Sequence, residues 1–480
     1  MNTPIESRPL VAGRWIDDAP SSIRVTNPAN DQLVAEVPSL RASHARDAIA
    51  AAHDAWPAWR ARPAHERAAI VSRLASFMRR DADRLARIMT LEQGKPLAEA
   101  KGEIAYAASF LDFAAGECVR ACGEMVPAST PEKRILVMRQ PVGVCAIITP
   151  WNFPSAMITR KIGPALAAGC TVVVKPSEET PLSAIAIAQL GVEAGVPAGV
   201  LNIVCGEASE IGGALLGDDR VRKLSFTGST EIGSMLMAQA ARNVMRVSLE
   251  LGGHAPLVVF EDADMERAVA GALANKLRNA GQTCICANRF YVHRSIKDEF
   301  ASRLARAMES LPVGNGLREG VKVGPLINDD AMEKVELHVA DACDKGARVV
   351  TGGSRVRLDG LADRFYAPTV LDGLTPDMLA AKEETFGPVA PIAAFDTENE
   401  AIALANGTPY GLAAYFYTRD ASRLMRVAEA LEFGVVGAND AMPSTAQAPF
   451  GGVKRSGVGR EGGRWVMDEY TEAKYVSWGL

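Results

Sequence analysis

The sequence lacks most of what would mark a secreted, metal-bound or membrane-embedded protein. Its 480 residues include only eight cysteines, at positions 118, 122, 145, 170, 205, 284, 286 and 343. They are too sparse and scattered for a disulfide framework and suit a reducing compartment. Six histidines, with no Cys/His cluster at zinc spacing, predict no structural metal site. No stretch reaches the roughly eighteen consecutive apolar residues that a membrane helix needs. The start, Met1 to Asp18 with Pro4 and Pro9, is polar and does not read as a signal peptide, so the expected location is cytoplasmic. A surplus of positive charge is missing too. The formal net charge of -5 gives no general attraction for nucleic acid or an anionic membrane. There is no internal repeat and no low-complexity linker.

What is present is an ordinary globular composition, 48% hydrophobic and 23% charged. The length exceeds what one core serves, so two or three domains are expected. Val11 to Val37 reads as short strands and turns. Ser43 to Cys118 is helical in pattern, broken at Pro63, Gly94 and Pro96. Arg134 to Arg139 is a strand candidate. From Val142 the rhythm becomes strand and helix in alternation. Strands are predicted over 142–148, 171–175, 200–204, 223–226 and 247–251, with helices between them. The near-continuous apolar runs suit parallel strands buried on both faces. This is a doubly wound α/β pattern, which binds ligands beyond the carboxyl ends of its strands. A second α/β block starts near Pro256. It contains a helix over Asp264–Asn279, strands over 289–293 and 434–439, a glycine-rich loop over 451–463 and a final strand over 469–478.

The helix over Asp264–Asn279 delivers Asn279-Ala280-Gly281-Gln282-Thr283-Cys284-Ile285-Cys286. Cysteine is the side chain closest to a competent nucleophile at neutral pH, and this one follows a flexible polar approach. Most free cysteines are buried and inert, so Cys284 acquires meaning only beside other stretches. Those are PWNFP (150–154), VVVKPSE (172–178), FTGSTEIG (226–233), LELGG (249–253), EETFGP (383–388) and PFGG (449–452). Gly228 and Gly233 open a helix after a strand, where free N–H groups and positive potential favour a pyrophosphate. No Lys follows Gly233, which argues against a nucleotide triphosphatase.

Taken with GQTC (281–284), these stretches resemble the aldehyde dehydrogenase superfamily over essentially the whole chain. The resemblance implies a Rossmann-like cofactor domain from 1–119 and 142–252, an α/β catalytic domain from 253–450, and a small β oligomerisation arm from 120–141 and 451–480. It implies Cys284 as nucleophile, Asn152 as oxyanion donor and Glu250 as the general base that hydrolyses the thioester. Cofactor roles fall on Thr149, Pro150, Trp151, Lys175, Ser177, Glu178, Gly212, Phe226, Thr227, Gly228, Ser229, Gly233, Leu251, Glu384 and Phe386. Glu178 would accept ribose hydroxyls and repel a 2′-phosphate, which favours NAD over NADP.

Arg160 lies on the helix after PWNFP, eight residues beyond Asn152 and so about two turns down the same face. Arg278 lies six residues before Cys284. Guanidinium groups suit a bidentate carboxylate clamp. The surroundings of Arg160, Arg278 and Ser444 resemble succinate-semialdehyde dehydrogenases, in which such residues hold the distal carboxylate. An ω-carboxylated aldehyde is the expected substrate, with glutarate and 2-oxoglutarate semialdehydes as alternatives. Pro443 in the mouth loop and Trp465, where tyrosine is more usual, depart from that pattern. Cys286 resembles a redox-switch cysteine, with a packed neighbour as the equal alternative. The family's arm implies a homodimer or a homotetramer.

Overall fold

The computed structural model describes residues 5–480; Met1 to Pro4 of the polar start lie outside the described residues. Of the four N-terminal helices, Ala42–Ala61 packs on one face of the first sheet, and Ala64–Arg80, Ala82–Gln93 and Leu97–Cys118 lie on the opposite side. Their breaks follow local chemistry. Pro63 and Pro96 sit at N-cap positions, and Gly94 ends the third helix in the left-handed region at φ +93.

The sheet between them has six strands in the order Gly457–Val458, Arg246–Glu250, Val221–Thr227, Val144–Ile148, Thr171–Lys175, Leu201–Ile203. Its last five strands are parallel. They match the predicted runs to within a few residues, because strands covered by helices on both faces carry unbroken apolar sequence. In chain order these five lie 3-2-1-4-5. The crevice between the ends of Val144–Ile148 and Val221–Thr227 is therefore the topological switch point.

A second sheet has seven strands: Arg348–Thr351, Thr369–Asp372, Val389–Phe395, Ala287–His293, Ala255–Val259, Ala413–Tyr417 and Val435–Ala438. Several of these are not separable in the sequence pattern. A third sheet pairs Thr471–Gly479 with Lys133–Pro141, which also pairs with Glu124–Val126.

Two expectations are revised. The Asp264–Asn279 helix is shorter, ending at Leu277, because Asn279 and Ala280 adopt left-handed backbone at φ +52 and +54. The segment after 451 is more than an arm. Gly457–Val458 runs antiparallel along Leu249–Glu250, and Ser456 accepts the Leu251 N–H and donates to the Gly252 carbonyl. Val466, Met467 and Tyr470 fill the core under the cofactor sheet.

Candidate functional site

The first buried strand ends at Ile148 and turns through Thr149 to Pro154 before the helix Ala156–Ala168 begins. Asn152 therefore precedes the helix and shares no face with Arg160, contrary to the even two-turn spacing expected from sequence. The helix starts late because Pro154 and Ser155 form a turn whose following amides, those of Ser155 and Ala156, are accepted by Glu103 at 2.9 and 3.1 Å. Asn152 is buried, and its amide is oriented from both ends. Its Oδ1 accepts the Phe153 N–H at 3.1 Å and its Nδ2 donates to the Gln282 carbonyl at 3.2 Å.

The Cys284 loop is shaped by tight backbone. A Cβ on Gly281, at φ +79, would sit 2.1 Å from the Gly387 carbonyl oxygen, so only glycine fits. The loop brings Cys284 to a cavity of about 350 Å³ lined by Trp151, Asn152, Thr227, Leu251, Glu384 and Phe386, among others. Burial, with the negative Glu384 adding to it, pushes the Cys284 thiol up to about 12; Arg160 and Arg278 oppose this. In this state the sulfur is a protonated thiol rather than a standing thiolate.

Glu250 ends its strand. Both its carboxylate oxygens are buried without a hydrogen-bond partner among the described residues. Burial first, then the negative Glu461, hold its carboxyl well above the ordinary range, against Lys161, Arg160 and Arg460. The side chain packs against Gly451, where a Cβ would come within 2.8 Å of Oε1.

The remaining predicted cofactor residues divide into two groups. Pro150, Trp151, Thr227, Gly228, Ser229, Leu251, Glu384 and Phe386 line the cavity. Trp151 and Phe386 meet edge to face at 5.7 Å. Phe386 is held in the left-handed region at φ +56, a strained choice for an aromatic residue. Glu384 accepts the Gly253 N–H, and burial pushes its carboxyl up to about 8. Lys175 lies along the same sheet edge, its Nζ 2.9 Å from Glu178, and its carbonyl accepts the Thr149 N–H at 3.1 Å. Ser177 follows it in the same turn, and Gly212 lies in the helix Ala208–Gly217 with open space beside it. Phe226 is core, and a Cβ on Gly228 would strike its ring at 2.4 Å. Gly233 serves packing, since a Cβ there would meet Leu251 at 2.2 Å. The Thr227 hydroxyl is buried beside this cavity without a hydrogen-bond partner among the described residues, and Ser229 caps the helix that opens there. The donor set fits a dinucleotide.

Beyond Asn152 lies a guanidinium cluster. Arg278 stacks on Phe153 at 4.6 Å and on Tyr106 at 5.8 Å, and its guanidinium has no acidic partner within ion-pair distance among the described residues. Arg160 is fully buried, between the rings of Phe110 and Phe450 at 4.6 and 4.3 Å. Its Nε lies 3.1 Å from Glu461, close enough for an ion pair but not aligned as a hydrogen bond, and Glu461 also pairs with Lys161. Arg160 Nη2 reaches the Tyr106 hydroxyl, which is hydrogen-bonded to Ser444. Sequence reading missed Tyr106, Phe110, Phe450, Lys161 and Glu461. It also missed Asp330 and Lys334 on the cavity wall. The Tyr106/Phe110 spacing of one helical turn was the available signal; the charged Asp330–Lys334 turn looks like any solvated helix start. Cys286 is buried, with Sγ against the Lys276 and Ala287 carbonyls at 3.6 and 3.7 Å.

The sequence profile of the Aldehyde dehydrogenase family matches residues 15–476. The chain belongs to that family. It is 54% identical to a succinate-semialdehyde dehydrogenase [NADP(+)] of Escherichia coli, over 98% of this chain and 97% of that one. It is 53% identical to a glutarate-semialdehyde dehydrogenase of Pseudomonas putida, over 97% and 96%. The crystal structure of succinate-semialdehyde dehydrogenase from Burkholderia pseudomallei superposes with a TM-score of 0.98 at 52% identity, covering 100% of each chain. The protein has the aldehyde dehydrogenase fold and is an aldehyde-oxidising enzyme with a nicotinamide dinucleotide cofactor. Among the described residues no helix is long and apolar enough to cross a membrane, and no group of three or more His, Cys, Asp or Glu could hold a metal ion.

Proposed function

We propose that the protein oxidises an aldehyde bearing a distal carboxylate, with succinate semialdehyde as the favoured substrate and NAD as the favoured cofactor. The observation that carries the substrate class is the Arg278 guanidinium. It makes no ion pair among the described residues, lies beside Tyr106 and the Tyr106–Ser444 hydrogen bond, and is close enough to bias the Cys284 thiol toward ionisation. A distal carboxylate would pair with that guanidinium, which an uncharged aldehyde cannot do. Arg160 adds positive potential from behind Tyr106.

Cys284 gives up its proton to solvent in the cavity and adds to the aldehyde carbon. The Asn152 amide and the Cys284 backbone N–H receive the developing oxyanion, and one such donor contributes about 3–4 kcal/mol to lowering the barrier. A nicotinamide dinucleotide, when bound beside Cys284, would supply the hydride acceptor that this adduct needs. A thioester on Cys284 remains. Glu250 turns from Gly451 toward the cavity and takes a proton from the water that hydrolyses it. Lys175 and Glu178 would hold the adenine ribose, Glu384 the nicotinamide ribose, and the Glu178 carboxylate would disfavour a 2′-phosphate.

Glutarate semialdehyde is the second reading, favoured by the 53% identical relative. The sheet of Thr471–Gly479 and Lys133–Pro141 leaves Met125, Tyr475 and Trp478 exposed at 71%, 62% and 59%, which supports a homodimer or homotetramer built on this arm. Eight unpaired cysteines suit the cytoplasm.

The test is reduced-cofactor formation with succinate semialdehyde, glutarate semialdehyde and butanal, each with NAD and NADP and with or without coenzyme A. A preference for butanal over both carboxylated aldehydes would overturn the substrate class. A requirement for coenzyme A would overturn the role of Glu250.

A further inference from the structure

The mechanism leaves unused a buried polar assembly at the break between two N-terminal helices. Lys95 sits in the Gly94–Lys95–Pro96 turn, and both it and Glu103 have side chains only 1% exposed. Their ammonium and carboxylate are paired at 2.5 Å. Glu103 Oε1 accepts the amides of Ser155 and Ala156, and so anchors the helix that follows the Asn152 turn. Lys95 Nζ donates to the Asn152 carbonyl at 2.8 Å and lies 3.9 Å over the Phe153 ring. Asn279, the left-handed residue below Cys284, donates to the same carbonyl at 3.0 Å and to the Gln282 carbonyl at 3.2 Å.

The peptide bond is planar, so its two ends turn together. The carbonyl of Asn152 and the N–H of Phe153 belong to one such plane. Lys95 and Asn279 grip its oxygen end; its N–H end donates to the Asn152 Oδ1. Fixing the oxygen of the plane thus fixes which face of the Asn152 amide carries Nδ2. The turn bearing Lys95 is itself held, because Leu97 N–H donates to Gly316 and a Cβ on Gly316 would lie 2.7 Å from the Lys95 carbonyl.

A buried ion pair is poor value for stability alone, since apolar or neutral replacements of similar shape often hold a fold as well. We infer that Lys95 and Glu103 are positioning residues for the addition step, holding the Asn152–Phe153 peptide plane so that the Asn152 amide meets the oxyanion with its N–H. The inference rests on the reading of Asn152 as an oxyanion donor. It deepens that reading by naming what orients the donor.

The test compares Lys95→Met/Glu103→Gln, which removes both charges while leaving shape, with Asn152→Ala and with the triple variant. The reaction is followed as the single-turnover burst of reduced cofactor with succinate semialdehyde. Alkylation of Cys284 by iodoacetamide is measured in parallel, because that displacement develops no oxyanion. Asn152→Ala is expected to slow the burst by about 100- to 1,000-fold. The pair variant slows it about tenfold or more with alkylation within about twofold of wild type, and the triple variant falls no more than about threefold below Asn152→Ala. A pair variant with a normal burst overturns the inference, as does one in which burst and alkylation fall together, or a triple variant in which the losses multiply. Should the pair variant not fold, Glu103→Gln alone is judged by the same burst and alkylation criteria, with a threefold slower burst as the threshold. A normal burst in Asn152→Ala would instead remove the oxyanion reading itself.

Discussion

Arg160 and Arg278 look alike in sequence as partners for a carboxylate, yet their surroundings make different predictions for their loss. Arg278→Leu removes a partly exposed guanidinium that makes no ion pair among the described residues. Truncating one member of a hydrogen-bonded charge pair costs about 2–5 kcal/mol. Water can enter beside Arg278, so the lower end applies, and kcat/KM for succinate semialdehyde falls about 30- to 100-fold. With butanal, which offers no carboxylate, the change is expected to stay within about threefold. Thermal stability changes little, because Arg278 makes no ion pair among the described residues and its loss only weakens the positive field on Glu99, which keeps its Asn279 N–H hydrogen bond.

Arg160→Leu removes a fully buried cation from between Phe110 and Phe450 and leaves Glu461 with Lys161 as its remaining close partner. Breaking a buried pair costs about 3–5 kcal/mol, and the surviving Lys161 contact reduces this to roughly 2–3 kcal/mol. A lower thermal midpoint and a loss of activity on both aldehydes should follow. The assay is steady-state kinetics on the two aldehydes together with a thermal melt for each variant. Equal losses on succinate semialdehyde and butanal in Arg278→Leu would refute the assignment of Arg278 to the distal carboxylate. An Arg160→Leu protein with an unchanged melt would refute the reasoning about Glu461.

Other outcomes follow from the same geometry. Since burial pushes the Cys284 thiol up to about 12, iodoacetamide alkylation of the cofactor-free enzyme should rise about tenfold per pH unit from pH 7 to 9; a plateau below pH 9 would contradict this. Glu178→Ser removes a carboxylate that would face a 2′-phosphate, and the NAD/NADP ratio of kcat/KM should fall roughly 10- to 100-fold; an unchanged ratio would place cofactor choice elsewhere. Gly281→Ala forces a Cβ against the Gly387 carbonyl, and both activity and stability should drop, read by kinetics and melting. Deleting Thr471–Leu480 strips the arm of its long strand, and light scattering should show a smaller assembly.

The parts of this protein that sequence makes legible are those whose reasons are local. The strands over 144–250 are apolar on both faces, so their runs stand out without knowledge of their neighbours. Cys284 and Asn152 stand in glycine- or proline-marked turns that advertise themselves, and Glu250 ends a strand just before Gly252-Gly253. What escapes is set by distant partners. Glu461 meets Lys161 across 300 residues of chain, and nothing near either residue marks the pairing. Tyr106 lies in an alanine-rich helix that reads as generic packing. Lys95 appears only as a break between helices. The strands Thr369–Asp372 and Ala413–Tyr417 are too short to separate from loops or helix fragments.

The edge formed by Gly457–Val458 has a bearing on how the polypeptide is made. Ribosomal synthesis emits the first five strands of the cofactor sheet long before the sixth, with the whole second α/β block emerging in between. Until that late ribbon arrives, the flank of Arg246–Glu250 stays open, and the hollow awaiting Val466, Met467 and Tyr470 is unfilled. Nascent chains of this enzyme therefore pass through a stage with an unpaired β edge and uncovered apolar surface, the condition under which half-made proteins stick to one another or to chaperones.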